Sequence, residues 1–334
     1  MKKITVILLT LALLFTFVAC NNDPKPDSDN EDKPVAADIK VGLLIPGSPT
    51  DGGWSQSGVE ALNGLKERTG ATTTVIEAPN ADQMKTEAEN LADAGYQVII
   101  GHGGQYASPF AEICDQYPDA IFVTMGGSVV RDNLYPVQAK LEDPAYIAGV
   151  ISAMVSETGK IGLLVGGDFP SYTKTTRGFS LGAQSINPDI EVMHAVLSTI
   201  DMNEAYETTL NQIDSGADVV WANANQATLG SLKAAVEKDV YCFGAQLVQT
   251  DEAPENLIAS LTQDFSYIYQ AIFDRYADGT IEPGIQEVGI DENAVGFVWN
   301  EQVKSTLPEE VQEVYDIYAP KVISDEIDVP GEND

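Results

Sequence analysis

The feature of this sequence that most limits its fold is an alternation of short β-rich runs with amphipathic helical stretches, which starts at residue 39. Residues 39–45 predict a strand, and Trp54, Gly58, Leu62 and Leu65 then recur at helical spacing. Strands separated by helices of this length form right-handed βαβ units and parallel sheets. Because the pattern restarts in the second half of the chain, we predict an α/β protein with two similar Rossmann-like lobes.

The same pattern predicts the remaining elements. Asn80 is expected to cap a helix that carries Met84, Ala88 and Leu91, with Gly95 at its end. Further strands are expected at 97–101, 120–125, 160–165, 190–197, 218–222 and 240–244. Further helices are expected around 110–117, 146–155, 179–186, 203–215 and 227–238. Ligands of open parallel sheets bind beyond the carboxyl ends of the strands, so the loops after these strands are candidate sites.

The first twenty residues have the pattern of a secretory signal. Lys2 and Lys3 precede an apolar run from Ile4 to Ala19, and Cys20 follows directly. This order resembles a bacterial lipoprotein signal, in which residues 1–19 are removed and Cys20 is lipidated. A membrane-spanning anchor is the alternative, but the run is shorter than the roughly 20 residues that a spanning helix needs. Residues 20–37 predict a flexible acidic tether, so the protein is expected outside the cytoplasm, held to a cell membrane by lipid.

The chain is strongly acidic, with 51 Asp and Glu residues against 18 Lys and Arg residues. Nucleic acids require a basic surface, so this class of partner is excluded, and charge also disfavours adhesion to anionic lipid. Cys114 and Cys242 lie in apolar segments where two buried thiols are expected, although a disulfide between them stays open. With two histidines and no CxxC or HExxH spacing, neither a metal site nor a cofactor is predicted.

The loop after the first strand, residues 46–57, contains Asp51, Trp54 and Ser55, which are predicted to contact a ligand. Trp54 opens a helix at the lip of the sheet, where its large ring can stack on a planar molecule. The alternative is that this ring only covers the core.

The loop after the strand at 97–101 provides three more candidate ligand contacts, His102, Gln105 and Tyr106. The glycines beside them allow close backbone approach. The loop lacks the GxGxxG spacing of a dinucleotide site, and it is not a P-loop. His102 can alternatively be a structural turn residue.

In the second half, three polar loops contain the candidate ligand contacts Asp168, Asn225 and Gln246, although plain hydrated loops would look the same. Residues 178–182 match the GxSxG pattern of hydrolases, but helical periodicity places the whole motif inside one helix. No loop combines a nucleophile with a base, so we predict a binding protein and not an enzyme.

Several segments in order carry a family resemblance. They are DGGWSQSGVEAL (51–62), AYIAGVISA (145–153), KIGLLVGG (160–167), RGFSLGAQSINPDIEV (177–192), GAD (216–218), VYCFG (240–244) and DGTIEPG (278–284). Over nearly the whole mature chain, this sequence resembles the basic membrane protein (BMP) family of ABC-transporter substrate-binding lipoproteins. The resemblance implies a type I periplasmic-binding fold and a small-molecule ligand, a purine base or nucleoside, delivered to a membrane permease.

The resemblance also implies roles for individual residues. Trp54 stands where nucleoside-binding members have a stacking phenylalanine, and Ser55 takes the place of the base-reading asparagine. Gly126 replaces an aspartate that reads the base, and Gln246, after Ala245, stands where an aspartate grips ribose. Each missing carboxylate removes a charge-assisted hydrogen bond worth roughly 1.5–3 kcal/mol. A free base, or another small planar polar solute, is therefore the expected ligand.

The family fold further implies two lobes joined by a hinge. The expected ranges are 38–140 plus 257–281 for one lobe, 141–256 plus 282–325 for the other, and 326–334 for an acidic tail. Crossing segments are expected near 138–143, 251–258 and 280–284. The lobes of a monomer would close over the ligand, because the ligand contacts both of them. A ligand sensor or surface-interaction lipoprotein on the same fold, or a binder of another kind of solute, is the alternative.

Overall fold

The computed structural model describes residues 36–50, 54–168 and 170–329. The predicted signal peptide, Cys20, the tether up to residue 35, Asp51 and the last five residues of the acidic tail lie outside these ranges. The end of the tether, Ala36–Asp38, forms one 3₁₀ turn. Among the helices in the described ranges, none has both the length and the apolar character needed to cross a membrane.

The described chain has a strand or a helix at each place where the sequence predicts one, and it has further elements at 72–77, at 134–139 and from residue 257 onward that were not predicted. The strands are β1 (Lys40–Ile45), β2 (Thr72–Glu77), β3 (Val98–Gly101), β4 (Ile121–Met125), β5 (Leu134–Ala139), β6 (Lys160–Val165), β7 (Glu191–Val196), β8 (Val219–Asn223), β9 (Tyr241–Gln246), β10 (Leu257–Gln263), β11 (Gln286–Val288) and β12 (Val295–Trp299). The helices are α1 (Trp54–Thr69), α2 (Ala81–Asp93), α3 (Ala107–Ala111), α4 (Glu142–Val155), α5 (Pro170–Ile186), α6 (Met202–Asp214), α7 (Thr228–Lys238), α8 (Phe265–Ala277), α9 (Glu301–Lys304), α10 (Glu309–Gln312) and α11 (Val314–Ile323).

The strands form two separate sheets, which define two lobes. The first sheet has the order β11-β5-β4-β3-β1-β2, and every pair in it is parallel. The second has the order β12-β10-β9-β8-β6-β7 and is parallel except for the antiparallel edge strand β12. We call the first sheet with α1, α2, α3 and α8 the first lobe, and the second sheet with the other helices the second lobe. The predicted α/β fold class is confirmed.

Each sheet is covered by helices on both faces, which is why its inner strands are largely apolar and buried, whereas the edge strands β2 and β7 are more polar and partly exposed. In β1, Leu43 packs with α1 and α8, whereas its neighbour Leu44 packs with α2 and α3 on the other face. Successive side chains of a strand point to opposite faces, so both residues are fully buried. In the second lobe, α4 and α5 cover one face and α6 and α7 the other.

Polar side chains fix where several helices begin. The Asn80 side chain accepts a hydrogen bond from the Gln83 backbone N–H at 3.1 Å, which confirms the predicted cap of α2. Asp201 and Asp264 cap α6 and α8 in the same way. Such caps satisfy backbone donors that have no partner within the helix, each contributing about 1 kcal/mol.

The helix predicted over 110–117 is shorter than its apolar spacing suggests. Helix α3 ends at Ala111, and Cys114–Gln116 form a single 3₁₀ turn. The Asn133 side-chain amide donates to the carbonyls of Cys114, Tyr117 and Ala120 at 2.9–3.0 Å. The Cys114 and Tyr117 carbonyls also accept from the backbone N–H groups of Tyr117 and Ala120, so tight turns and a distant side chain replace the continued helix.

The chain crosses between the lobes at three places, of which the sequence located one. The first crossing, between β5 and α4, lies within the predicted segment 138–143. The second lies at Asp264, between β10 and α8, because β10 belongs to the second sheet and not to the first lobe as predicted. The third lies at 289–294, because β11 pairs with β5 in the first sheet. The predicted crossings at 251–258 and 280–284 are therefore wrong.

Helices α4 and α5 touch backbone to backbone through glycines. A Cβ on Gly149 of α4 would collide with the Phe179 carbonyl, and one on Gly182 of α5 would collide with the Tyr146 carbonyl. Gly178 likewise faces the Glu142 backbone. The GxSxG motif at 178–182 therefore serves helix packing, which agrees with its predicted place inside a helix.

Cys114 and Cys242 are free buried thiols, one in the core of each lobe. Burial raises the pKa of Cys114 to about 11 and that of Cys242 further. The disulfide that the sequence left open is absent, and both residues act as small apolar side chains.

Candidate functional site

The strand topology indicates that the carboxyl ends of the two sheets lie beside the crossings, and we call the space between these ends the cleft. The chain passes to the other lobe directly after β5 and β11 of the first sheet and after β10 of the second, so each crossing starts at the carboxyl end of one of these strands. The strands beside these are parallel to them, so their following loops lie on the same side. Ligands of parallel sheets bind at such edges, which makes the cleft the candidate site.

Trp54 presents its indole ring at the edge of the first lobe. It is the first residue of α1 and is 46% exposed. One face of the ring stacks on the His102 imidazole, with centroids 4.4 Å apart and an interplanar angle of 25°. The indole Nε1 donates to the His102 carbonyl at 2.9 Å, and the Phe265 ring meets the indole edge-on at 5.1 Å. The ring is therefore held by protein and still accessible, as a stacking platform requires.

His102 supports this platform and does not face the cleft. Its side chain is 0% exposed. The imidazole Nε2 lies 2.8 Å from the Trp54 carbonyl oxygen, and Nδ1 lies 2.8 Å from the Tyr269 hydroxyl. Both ring nitrogens are therefore occupied within the protein, so the predicted contact of His102 with a ligand is not met. The alternative prediction, that His102 is a structural residue, agrees better with these contacts.

The other predicted residues of the first lobe are divided between core and surface. Tyr106 is fully buried and donates to the Ala78 carbonyl at 3.2 Å, so it cannot meet a ligand directly. Burial raises its pKa. Ser55 is only 1% exposed, behind Trp54 on the inner side of α1, so the predicted base-reading role is also not met. Gln105 is exposed, as a ligand contact must be.

Gly126 follows β4 and occupies a tight left-handed turn. Its φ is 87°, in the left-handed region. Its N–H donates to the Val137 carbonyl and its carbonyl accepts from the Thr124 hydroxyl, both at 2.8 Å, which fixes this turn. A Cβ here would meet open space, but the backbone conformation would cost an aspartate roughly 1–2 kcal/mol. The turn therefore favours glycine over a base-reading carboxylate.

In the second lobe, Asn225 and Gln246 form a pair of amides at the ends of β8 and β9. The Gln246 Nε2 donates to the Asn225 Oδ1 at 2.7 Å. Both backbones are left-handed, with φ of 49° and 68°, although neither residue is glycine. Such strain persists only where surrounding structure holds it, and it concentrates at binding sites. The structure thus brings together two of the predicted residues, and Leu247 and Val248 beside them are strongly exposed.

Asp168 is exposed beyond the end of β6 and lines a separate pocket of about 160 Å³. The pocket lies between α5 and the neighbouring strand β7, and His194 of β7 lines it as well. Burial lowers the pKa of His194, and the Asp168 carboxylate partly opposes this shift. The described contacts do not join Asp168 to the amide pair.

A group of charges at the first crossing ties the lobes together, and sequence reasoning missed it. Lys174 of α5 donates to the Gln138 Oε1 in β5 at 2.8 Å and lies 4.0 Å from a carboxylate oxygen of Glu287 in β11. Its Nζ is also 3.7 Å from the buried Glu142 carboxylate. A second-lobe cation is thus enclosed by first-lobe strands, which a lone lysine in an amphipathic helix gives no signal to predict.

The sequence also did not identify Phe265 and Tyr269 of α8 as residues of the site. Their i, i+4 spacing after a strand signals one helix face, but not that this face supports Trp54 and His102. Their side chains reach the site because α8 packs against α1 after the chain has returned from the second lobe.

Known proteins with similar sequences and folds agree with this architecture. Basic membrane protein A2 of Borrelia garinii subsp. bavariensis is 26% identical over 300 residues, which cover 87% of this chain and 88% of that protein. A purine-binding protein of Brucella abortus is 27% identical over 247 residues, covering 72% of this chain and 70% of that protein. A transcriptional activator of the comK gene from Bacillus halodurans has a structure that superposes with a TM-score of 0.74 at 24% identity, covering 85% and 97% of the two chains.

The fold is the type I fold of periplasmic solute-binding proteins. Residues 38–333 match the Bmp family, described as ABC transporter substrate-binding protein PnrA-like. This range includes both sheets, all three crossings and the cleft. The chain therefore belongs to the Bmp family of PnrA-like ABC transporter substrate-binding proteins.

Proposed function

We propose that this protein is the solute-binding lipoprotein of an ABC importer and that it captures a purine base, or a nucleoside-like solute, between its lobes. Its family consists of ABC transporter substrate-binding proteins, which bind small molecules for a permease, act outside the cytoplasm and are not enzymes. The purine specificity, the import role and the lipid anchor at Cys20 are our proposals.

The observation that carries the purine proposal is the platform at Trp54. The indole is half exposed, with His102 stacked on one face and Phe265 at its edge, so we infer that its other face can receive a planar ligand. Planar heteroaromatic bases stack on such rings, each contributing about 1–3 kcal/mol. The purine-binding name of the Brucella relative supports the same ligand class.

The opposite lobe offers neutral hydrogen-bonding groups. In the Asn225–Gln246 pair one amide N–H and one carbonyl oxygen are used between the two residues, which leaves donors and an acceptor to read a base edge. Without a carboxylate at Gln246, the site has less to grip ribose, so a free base suits it better than a nucleoside. Binding to both lobes would drive closure about the three crossings.

We expect Trp54→Ala to weaken binding of adenine or guanine by about 5- to 150-fold, since it removes the stacking face. The measurement is a thermal-shift screen of the mature chain against bases, nucleosides and sugars, followed by calorimetric titration. A matched control is Tyr267→Ala, because Tyr267 is an equally exposed ring (44%) on α8. Equal losses in the two variants, or a stabilising shift with sugars only, would contradict the purine proposal.

We expect Cys20→Ala to release the full-length protein from the membrane fraction, because the cysteine sulfur carries the proposed lipid. Fractionation and incorporation of a labelled fatty acid measure this. Cys114→Ala is the control, since that thiol is buried and should leave the protein at the membrane. Retention of the Cys20 variant at the membrane would argue for an anchor of another kind.

A further inference from the structure

We propose that His102 and Tyr269 are positioning residues that hold the Trp54 ring in place through an uncharged imidazole in its Nε2–H tautomer. The inference rests on the proposed function only in taking Trp54 as the ligand platform. The contacts that support the inference all lie within the protein itself.

The tautomer follows from the partners of the two ring nitrogens. The Trp54 carbonyl oxygen, 2.8 Å from Nε2, can only accept a hydrogen bond, so Nε2 must carry a hydrogen. A neutral imidazole then has a lone pair on Nδ1, which accepts from the Tyr269 hydroxyl at 2.8 Å. Tyr269 thereby selects the tautomer that bonds to Trp54.

A charged imidazole does not fit this arrangement. It would carry a hydrogen on Nδ1, so the Tyr269 hydroxyl would have to accept and its own hydrogen would lose this partner. Tyr269 and the nearby Tyr106 are both fully buried, and burial keeps their hydroxyls protonated by raising their pKa values. A buried donor without a partner costs about 1–3 kcal/mol, which favours the neutral form.

Trp54 and His102 are joined by two reciprocal hydrogen bonds. The imidazole donates to the Trp54 carbonyl, and the indole Nε1 donates back to the His102 carbonyl at 2.9 Å. Gly58, one turn along α1, leaves room for the imidazole, because a Cβ there would lie 2.9 Å from the His102 ring. Indole and imidazole are thus fixed relative to each other by two hydrogen bonds and a stacked contact.

The first test needs no ligand. Long-range ¹H–¹⁵N NMR of the mature chain at pH 7 reports the tautomer of each histidine, and His194→Gln assigns the only other one. We expect His102 to be neutral with its hydrogen on Nε2. A hydrogen on Nδ1, or a charged ring, would overturn the proposal whether or not purines bind.

The second test uses Tyr269→Phe, which removes only the hydroxyl, with Tyr267→Phe on the exposed side of the same helix as control. We expect Tyr269→Phe to mix the His102 tautomers, to shift the Trp54 indole N–H signal, and to weaken adenine binding about 3- to 10-fold. The control should change none of these. An unchanged tautomer and indole signal in Tyr269→Phe would overturn the proposal, whereas altered signals in a protein that binds no purine would fault the proposed ligand instead.

Discussion

Replacing Gly149 by alanine is expected to lower the free energy of unfolding by about 3 kcal/mol, although it adds only one methyl group. The added Cβ would overlap the Phe179 carbonyl oxygen and approach the Ala183 backbone nitrogen, so α4 and α5 would have to separate. Backbone atoms inside a helix cannot turn aside as a side chain can. The two helices form the most extensive helix pair of the second lobe, so their separation would expose much of its core.

Gly64→Ala provides the matched control, because Gly64 also lies inside a helix, α1. Its added Cβ would lie 3.0 Å from the end of the Arg68 side chain and in ordinary contact, at 3.8 Å, with the Ser266 hydroxyl. The Arg68 guanidinium is exposed and bonds to α8 through its other nitrogens, so its end can shift by the few tenths of an ångström required. The higher helix propensity of alanine should then raise the free energy of unfolding by up to about 1 kcal/mol. Denaturant titrations of both variants measure the two effects. Changes of the same sign and size in the two would show that helix packing at Gly149 is not limiting.

The second large effect is expected at Asp143, whose carboxyl lies at the first crossing with only 3% exposure. Burial raises its pKa from 3.8 to about 7, and the charges of Glu142, Asp325 and Glu287 act in the same direction. Lys140, with its Nζ 3.8 Å away, opposes them. Lys174 lies beyond Glu142 and pairs with it. The buried Asp143 carboxyl thus has too little positive charge nearby to ionise near pH 4, as an ordinary aspartate does.

The sign of the pH dependence follows from this raised pKa. Between about pH 4 and pH 7 the folded state binds the proton more tightly than the unfolded state, so stability must fall as pH rises through this range. Each pKa unit corresponds to about 1.4 kcal/mol. We expect Asp143→Asn, which mimics the protonated acid, to raise the free energy of unfolding at pH 8 by about 2–4 kcal/mol and to flatten its decline between pH 4 and pH 7.

Denaturant titrations at several pH values measure this difference. Asp325→Asn is the control, because Asp325 approaches the same Lys140 at 3.6 Å but its side chain is largely exposed. Surface pairs contribute at most about 1 kcal/mol, so this variant should follow the wild-type curve closely. If Asp143→Asn also runs parallel to the wild type, the carboxyl is already ionised in the folded protein at neutral pH.

The titration of Asp143 also changes the charge at the first crossing between the lobes. Asp143 is the second residue of α4, which follows the first crossing, and it lies next to Glu142, whose carboxylate pairs with the lobe-bridging Lys174. One carboxylate oxygen of Glu142 is buried and has no hydrogen-bond partner among the described residues. Proton uptake at this crossing therefore changes charges that lie between the lobes, where we propose that closure takes place.

Much of the fold could be predicted because local periodicity carries it. The apolar runs at β1 and β6 and the helical spacing after Trp54 each depend on neighbours within one element, so they indicate strands and helices without knowledge of the rest. The cap at Asn80 is equally local. The short strand β11 and the shortened α3 were harder to predict, because three residues show no period and Asn133 acts from a distance.

The partners of the strands and their assignment to a lobe were harder to predict from the sequence. The apolar run of β10 indicates a strand, but nothing within it tells whether it joins β9 or a strand of the first sheet. That choice is made by the packing of distant segments, as is the pairing of β11 with β5. The two pairings together place two of the three crossings away from their predicted positions. The sequence therefore predicted that two lobes exist more reliably than it predicted where the chain passes between them.

For the site, the sequence by itself determined the chemical types available: an indole at the start of a helix, amides after the strands of the second lobe, and no carboxylate at Gly126 or Gln246. Only the tertiary structure decided which of these side chains face the cleft. His102 and Tyr106 lie in a loop that looks ligand-facing, yet both point inward, because Tyr269, 167 residues from His102, and the Ala78 carbonyl provide their hydrogen-bond partners. Burial depends on partners from the whole chain, so residue type can be read locally but exposure cannot.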